Sequence, residues 1–325
     1  YQWHVKHIKL IGKRENKNQE EIQMTDVLII GSGPAGMTAA IYAKRANLNV
    51  LIVEKEYEGT GQMAESSRID NYPGFYGING YELGEKIREH AESLEVEFLE
   101  DEATAFESNE NGFLVTLESG TKLETKTVIY TAGASHRKLN VSGSEAFENK
   151  GISYCAACDG AFYKDKEVAV IGGGNSALDD ALLLSDICKK VYLIHRRNEF
   201  RGNQSTLARL EKKENVEIIR NANVKEITGT KKVENILLDT GKSLDVQGVF
   251  VAVGMIPQTE SLKDFVELDK SGYIKADEDG ITSKAGFFAA GDVRTKKLRQ
   301  IITAAADGAN AADSAIHYIA NTGKE

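Results

Sequence analysis

Thr25-Asp26-Val27-Leu28-Ile29-Ile30-Gly31-Ser32-Gly33-Pro34-Ala35-Gly36 is the stretch on which the fold of this chain turns. A short apolar, β-branched run feeds straight into a glycine turn, and Met37 to Ala46 continues with helical spacing. In such a turn the first glycine permits the tight bend, the second lets the backbone approach a pyrophosphate, and the third lets helix and strand pack closely. The helix N-terminus then offers unpaired amides to phosphate charge. A second apolar strand, Val50-Leu51-Ile52-Val53, ends at Glu54, twenty-three residues after Gly31, where a carboxylate accepts from a ribose hydroxyl. A lone glycine turn is common punctuation. Strand, turn, helix, strand and carboxylate in register read as a dinucleotide site.

The same plan recurs. Glu167-Val168-Ala169-Val170-Ile171 leads into Gly172-Gly173-Gly174-Asn175-Ser176-Ala177, Ala177 to Ile187 reads as helix, and Val191-Tyr192-Leu193-Ile194 ends at His195, again twenty-three residues on. Each unit closes on a similar strand, Thr127 to Ala132-Gly133 in the first and Gly248 to Gly254 in the second. A third piece, Gly286-Phe287-Phe288-Ala289-Ala290-Gly291-Asp292, precedes a basic loop and an alanine-rich helix from Gln300 to Ile319, and has no glycine turn of its own. It therefore returns to the first unit. The expected fold is α/β: two Rossmann-like three-layer nucleotide-binding domains, the second inserted in the first. The expected bounds are 24–138 with 272–325 for the first domain and 139–271 for the second. Residues 1–23 read as an extension ahead of Met24, non-native or disordered, with an alternation at Trp3, Val5 and Ile8 that suits an edge strand.

The two turns differ where cofactor identity is decided. His195 stands in the place of Glu54 and is followed by Arg196, Arg197 and, four residues later, Arg201. A carboxylate repels a 2′-phosphate, whereas a guanidinium fork binds it with charge-assisted hydrogen bonds. The second turn thus favours NADP over NAD. A solvated charge run at a strand end is the bland alternative, but it leaves the registration with Glu54 unexplained.

Composition narrows the functional classes. The 325 residues carry a net charge of −9, which argues against a nucleic-acid or anionic-membrane surface. No stretch approaches the about 18 to 20 consecutive apolar residues of a membrane span, and Tyr1 to Gln23 lacks the apolar core of a secretory signal. Three cysteines cannot make a disulfide scaffold, and their usage fits a reducing cytoplasm.

Two of those cysteines fall in Cys155-Ala156-Ala157-Cys158-Asp159-Gly160, just ahead of the second glycine turn. A tetrahedral metal site would lack ligands, because Cys188 stands alone. As a redox pair the motif works because one thiol attacks a disulfide and the other resolves the mixed disulfide. Asp159 has two readings: exchanging a proton with the departing thiolate or a flavin, or capping the following turn with Gly160. Cys188 reads as a small buried hydrophobe. His90, His136 and His317 show no spacing that suggests a metal or a triad.

Taken together, the residues resemble those of the low-molecular-weight thioredoxin reductases from about Thr25 to Ile319. The resemblance is carried by both glycine turns, Gly61-Gln62-Met63, Asp70-Asn71-Tyr72-Pro73-Gly74, the CxxC-Asp-Gly segment, His195-Arg196-Arg197 with Arg201, Gly291-Asp292-Val293-Arg294, and Arg299-Gln300-Ile301-Ile302-Thr303-Ala304. It implies FAD in the first domain, with Gly31 to Gly36 and Glu54 on the adenosine side. Gln62, Asn71, Asp292 and Arg299 to Ile301 are then expected near the pyrophosphate, ribityl chain and isoalloxazine, flanked by Gly61, Met63, Ala132, Gly133 and Gly291. It also implies NADPH on Gly172, Gly174, Asn175, Ser176, Ala177, His195, Arg196, Arg197 and Arg201, with thioredoxin as protein partner and a cytoplasmic homodimer. Larger disulfide reductases carry their cysteines just after the first turn, where residues 37–80 here have none.

The implied mechanism runs from NADPH to flavin to the Cys155/Cys158 disulfide and on to thioredoxin, with Cys158 against the flavin and Cys155 toward the substrate. Nicotinamide and dithiol share one domain yet must meet one ring system, so a rotation about hinges near Leu139–Gly143 and Asp269–Gly272 is expected. Ala161-Phe162-Tyr163 departs from the paired aromatics that often follow the motif in this family. Competing readings are a ferredoxin-fed or peroxiredoxin-serving reductase, a small-molecule dithiol oxidase, and a redox-inactive nucleotide sensor. The arginines oppose the ferredoxin-fed form and the oxidase, the lack of an N-terminal thioredoxin-like module opposes the peroxiredoxin-serving form, and the dithiol opposes the sensor.

Overall fold

A computed structural model of the chain describes residues 24–56, 60–66 and 68–322, so the edge-strand expectation for residues 1–23 lies outside the described residues. The first strand, β1 (Thr25–Ile30), enters α1 (Pro34–Arg45), and the chain returns as β2 (Val50–Glu54). Proline in the first helical turn costs nothing, since that N–H has no helical partner. α2 (Gly80–Ser93) begins where the Asn79 side chain accepts from the Tyr81 amide at 2.9 Å, and leads to β3 (Glu97–Glu100). An antiparallel meander follows: β4 (Ala103–Asn109), β5 (Gly112–Leu117) and β6 (Lys122–Tyr130). β1 lies parallel between β2 and β6, with Val27 opposite both Val50 and Thr127. Val27, Leu28 and Ile29 have no exposed surface, as a strand covered on both faces requires.

The chain then crosses through β7 (Ala134–His136) into the second unit, where β8 (Ile152–Ser153) precedes a single helical turn, α3 (Ala156–Asp159). The second dinucleotide-type unit is β9 (Glu167–Gly172), α4 (Asn175–Ser185) and β10 (Lys190–His195), followed by α5 (Gln204–Leu210) and β11 (Val216–Arg220). A second meander, β12 (Val224–Gly229), β13 (Val233–Leu238) and β14 (Ser243–Asp245), covers one face before β15 (Gly248–Ala252) closes the sheet and β16 (Met255–Pro257) leaves it. The strand order is β11-β10-β9-β15-β8 with parallel pairing throughout. In both units the glycine turn follows the strand from which the order runs outward in two directions, the place where open α/β sheets bind ligands.

β17 (Phe287–Ala289) returns to the first sheet against the C-terminal half of β6, whose N-terminal half pairs with β5. That sheet reads β3-β2-β1-β6-β5-β4 with β17 beside β6, and α6 (Ile301–Thr322) packs on α1. The alanine-rich sequence of α6 explains the close approach. Ala304, Ala311, Ala312 and Ala315 are buried, and a Cβ at Gly308 would lie 2.1 Å from the Ala35 carbonyl oxygen. On the opposite face Phe106, Phe113, Tyr130, Phe265 and Phe287 form an aromatic cluster, with Phe106 and Phe287 perpendicular at 5.7 Å.

The crossings differ from the sequence expectation. β7 and β16 pair antiparallel, His136 opposite Met255 and Ala134 opposite Pro257, so a two-stranded ribbon joins the units. Leu262, Val266 and Ile274 then pack in the same core as Tyr130 and Phe287, because their apolar side chains complete the first unit's aromatic face. The second crossing therefore lies at Met255–Pro257 and not at Asp269–Gly272. Leu139 and Val141 pack with the second unit, and the Ile227 amide donates to the Ser142 carbonyl at 2.9 Å, so Leu139–Gly143 is already tied down. No helix among the described residues is long and apolar enough to cross a membrane.

Candidate active site

A cavity of about 1180 Å³ lies between the units. From the first turn it takes Gly31, Ser32, Gly33, Pro34 and Ala35, and from the end of β2 it takes Glu54. Gly61, Gln62, Met63 and Asn71 line another wall, Ala132 and Gly133 the end of β6, and Gly291, Asp292, Arg299, Gln300 and Ile301 the approach to α6. Gly36 is not among the lining residues. A Cβ there would fall 1.9 Å from the Gly31 carbonyl oxygen, so its role is the close packing of helix on turn. At Gly33 the nearest atom to an added Cβ is 3.9 Å away, which leaves the backbone open to a phosphate.

The cavity fits a flavin nucleotide by its chemistry as well as its position. Asp292 Oδ1 is buried and has no hydrogen-bond partner among the described residues. An orphaned buried acceptor is the group that a ligand hydroxyl satisfies. Burial pushes the Asp292 carboxyl above its ordinary range, against the pull of Lys296 and Arg299. The backbone that carries it is braced from α6. Asp307 accepts from the Gly291 amide at 3.0 Å, from Arg294 at 2.8 and 2.7 Å, and from Lys296 at 2.8 Å. Asp307, Arg294 and Lys296 in this bracing role were missed from sequence. The available signal was one carboxylate on the apolar, alanine-lined face of a helix.

Cys155 and Cys158 form a disulfide with Cα atoms 5.2 Å apart, and both border the cavity. The Cys158 amide donates to Cys155 Sγ at 3.2 Å, and Gln300 Nε2 stands 3.9 Å from that sulfur. Gln300 is aimed by Asn71, whose Nδ2 donates to Gln300 Oε1 at 2.8 Å. Asp159 also borders the cavity, and it accepts from the Ser153 hydroxyl at 2.6 Å without capping the turn that follows. Burial raises its pKa above the ordinary carboxylate range, opposed by the Ser153 hydrogen bond. Phe162 is partly exposed, while Tyr163 packs edge-on against Phe250 at 5.2 Å, so only the first of these aromatics faces outward. Cys188 is buried, which pushes its thiol to about 11 and leaves it inert at neutral pH.

The second turn lies largely outside the cavity. Of its residues only Ser176 reaches the lining, together with Asp179 and Asp180 from α4, the latter pushed by burial and by Asp179 to about 7. Gly172, Gly174, Asn175 and Ala177 do not line it. Nothing stands within 4 Å of a Cβ at Gly174, so this turn too is open to a phosphate. Arg201 is held beside it by its amide, which donates to the Gly173 carbonyl at 2.8 Å. Arg196, Arg197 and Arg201 are exposed. His195 is not presented with them. Its ring is buried against Phe200 at 4.7 Å and against Gly173, where a Cβ would strike it at 2.1 Å, and Nε2 sits 3.0 Å from the Glu199 carbonyl oxygen. Burial lowers its pKa, so it shapes the turn as a neutral ring.

Two Rossmann-like units around one dithiol define a class, and the chain belongs to it: the pyridine nucleotide-disulphide oxidoreductase family matches residues 25–308. Within that family the chain is 41% identical over 305 residues to a thioredoxin reductase of Listeria innocua, covering 92% of this chain and 95% of the relative. The crystal structure of thioredoxin reductase from Streptococcus pyogenes superposes with a TM-score of 0.86 at 43% identity, covering 92% of this chain and 99% of that one. The Lactococcus lactis thioredoxin reductase in its FR conformation gives a TM-score of 0.64 at 39% identity, covering 91% and 99%. Family membership implies flavin and nicotinamide cofactors.

Proposed function

We infer that the chain is an NADPH-dependent thioredoxin reductase, with FAD in the first unit and NADPH on the second. The observation that carries this reading is the placement of the Cys155–Cys158 disulfide. It belongs to the unit with the arginine-flanked turn yet stands at the first unit's cavity, 3.9 Å from Gln300. FAD, when bound, supplies the two-electron chemistry that links nicotinamide to disulfide. The Gly31–Gly36 turn takes its pyrophosphate, Glu54 its adenosine ribose, and Asp292 Oδ1 a ribityl hydroxyl. Arg196, Arg197 and Arg201 take the 2′-phosphate that distinguishes NADPH from NADH.

The dithiol then acts by exchange. The Cys155 thiolate attacks thioredoxin's disulfide, one thioredoxin sulfur leaves, and a mixed disulfide forms. Cys158 attacks Cys155, restores the Cys155–Cys158 disulfide and releases thioredoxin with two thiols. Asp159, whose pKa is raised by burial, is placed to supply a proton to a departing thiolate. In the present arrangement the dithiol occupies the cavity side and the second turn lies away from it, so nicotinamide access requires rotation. The β7–β16 ribbon is the pivot. The fall in TM-score from 0.86 to 0.64 between two relatives of near-equal identity and coverage is what a change in the placement of two rigid units produces. We place the domain bounds accordingly, with the inserted unit between the two ribbon strands. A cytoplasmic homodimer is proposed with it.

Anaerobic titration tests the reading. NADPH is expected to bleach the bound flavin, NADH to do so poorly, and added thioredoxin to restore the oxidised spectrum. A colourless purified protein, or a flavin untouched by NADPH, overturns it.

A further inference from the structure

The carboxylate that ends β2 has a partner of its own. Arg88, on α2, places Nη2 3.0 Å from Glu54 Oε1 and Nη1 3.2 Å from Oε2, and the two side chains are only 8% and 2% exposed. The guanidinium is fixed from two other directions. Its Cζ lies 4.0 Å over the Phe98 ring, and Nε donates to Glu92 Oε1 at 3.0 Å one turn along the helix. Phe98 belongs to β3, which pairs with β2, so the fork is held by the same strands that present Glu54. A bidentate fork uses one acceptor direction on each carboxylate oxygen. The Ser32 hydroxyl takes a further acceptor direction, and the carboxylate keeps acceptor capacity toward the cavity for a ribose hydroxyl.

This arrangement matters because Glu54 is otherwise in a poor place for a charge. Burial is the largest influence on it and raises its pKa, and Glu100 on β3 adds to that rise. Arg88 and the Ser32 hydroxyl in the glycine turn oppose it, and Glu92 pairs with Arg88. A protonated Glu54 would lose an acceptor and present a donor in its place.

We propose that Arg88 is a positioning residue that holds the Glu54 carboxylate ionised and in plane for the adenosine ribose of the flavin nucleotide. The inference rests on the reading of the Gly31–Gly36 turn as the FAD site. FAD affinity is then full above the pH at which Glu54 titrates and falls as pH drops through it. Removing Arg88 removes the largest downward pull on that titration, so the fall moves to higher pH. Lysine keeps a charge but not the fork, and gives an intermediate effect.

The test is titration of apoprotein with FAD, followed by flavin fluorescence, across the range from about pH 5 to about pH 9 that brackets raised carboxyl groups. Wild type is expected to lose affinity toward acid with a Glu54 midpoint that Arg88 sets, while Asp292, whose carboxyl is also raised by burial, titrates in the same cavity in every variant. In Arg88→Met the midpoint rises, and at neutral pH the dissociation constant increases by about tenfold, the usual scale for losing a charged hydrogen-bond partner. Arg88→Lys falls between, and carries the comparison if the methionine variant does not fold. Glu54→Gln lacks the Glu54 midpoint and keeps only the titration of Asp292. Arg88→Lys and Arg88→Met proteins that match wild type at every pH, or a Glu54→Gln protein that keeps the Glu54 midpoint, overturn the inference alone. Wild-type protein that binds no FAD at any pH overturns the site reading with it.

Discussion

Ser153 donates its hydroxyl proton to Asp159 Oδ2 at 2.6 Å while its oxygen accepts from the Cys155 amide at 3.1 Å. The carboxyl that serves the dithiol is thus tied to the backbone of the dithiol itself. Its folded pKa is raised, mainly by burial. A raised carboxyl contributes stability that is complete below the unfolded pKa, about 3.8, and is lost as pH rises through the folded value. Asp159→Asn should therefore match the wild-type melting temperature near pH 3.5, around that unfolded value, and exceed it at neutral pH. The same variant should slow thioredoxin reduction, since the amide has no proton to give. Equal melting temperatures at neutral pH would show that Asp159 is not held at an energetic cost.

The two sulfurs of the dithiol are not equivalent. The Cys158 amide points at Cys155 Sγ at 3.2 Å, and an amide donor stabilises a thiolate more than a thiol. On reduction Cys155 is the favoured thiolate. Cys158→Ser is expected to give a covalent adduct with thioredoxin on a non-reducing gel, and Cys155→Ser none. The reverse pattern would assign the attack to Cys158.

Much of this architecture is legible in sequence because both glycine turns sit between runs whose period is unambiguous. Val27 to Ile30 and Val168 to Ile171 are continuous apolar strands, and the predicted helix from Gln300 to Ile319 is found at Ile301–Thr322. The crossings were less legible. The segment from Thr259 to Ile274 carries only scattered apolar residues, and it joins the first unit because of an aromatic face assembled from Phe106, Phe113 and Phe287, far away in sequence. At the site, the lining residues followed from motif register, but the groups that brace them did not. Arg88 lies thirty-four residues from Glu54, and no local pattern pairs them. His195 was expected to present itself with its arginine neighbours. It turns inward because Gly173, lacking a side chain, leaves room for an imidazole.

Asp307 faces two cations, Arg294 and Lys296, in a pocket where all three side chains are at least nine-tenths buried. Breaking such a group leaves uncompensated buried charge, at a cost of about 3 to 5 kcal/mol. Asp307→Asn should lower the melting temperature strongly and weaken flavin retention, because Gly291 and Asp292 lose their brace. The Asp307 pKa is lowered by Arg294 and Lys296 against the opposing effect of burial. Its contribution to stability is therefore present above the unfolded pKa and lost as pH falls through the lower folded value. Thermal melts from neutral pH downward should show wild type converging on the variant only in strong acid. A variant as stable as wild type at neutral pH would show that the cluster does not support the fold.

The ribbon that joins the units has a glycine before each strand. Gly133 has φ +71° ahead of β7 and Gly254 has φ +109° ahead of β16, and nothing stands within 4 Å of a Cβ at either position. Alanine there meets no neighbour, yet it strains the left-handed backbone by about 1 to 2 kcal/mol. The strain acts on the arrangement in which the dithiol faces the cavity. If rotation passes through these residues, Gly254→Ala should shift the population away from that arrangement by about fivefold or more, since ~1.4 kcal/mol is a factor of ten. Reduced Cys155 should then react faster with a thiol reagent and kcat should change, with KM for NADPH preserved. Gly133→Ala should act in the same direction. Unchanged alkylation and turnover in both variants would place the pivot elsewhere than the β7–β16 ribbon.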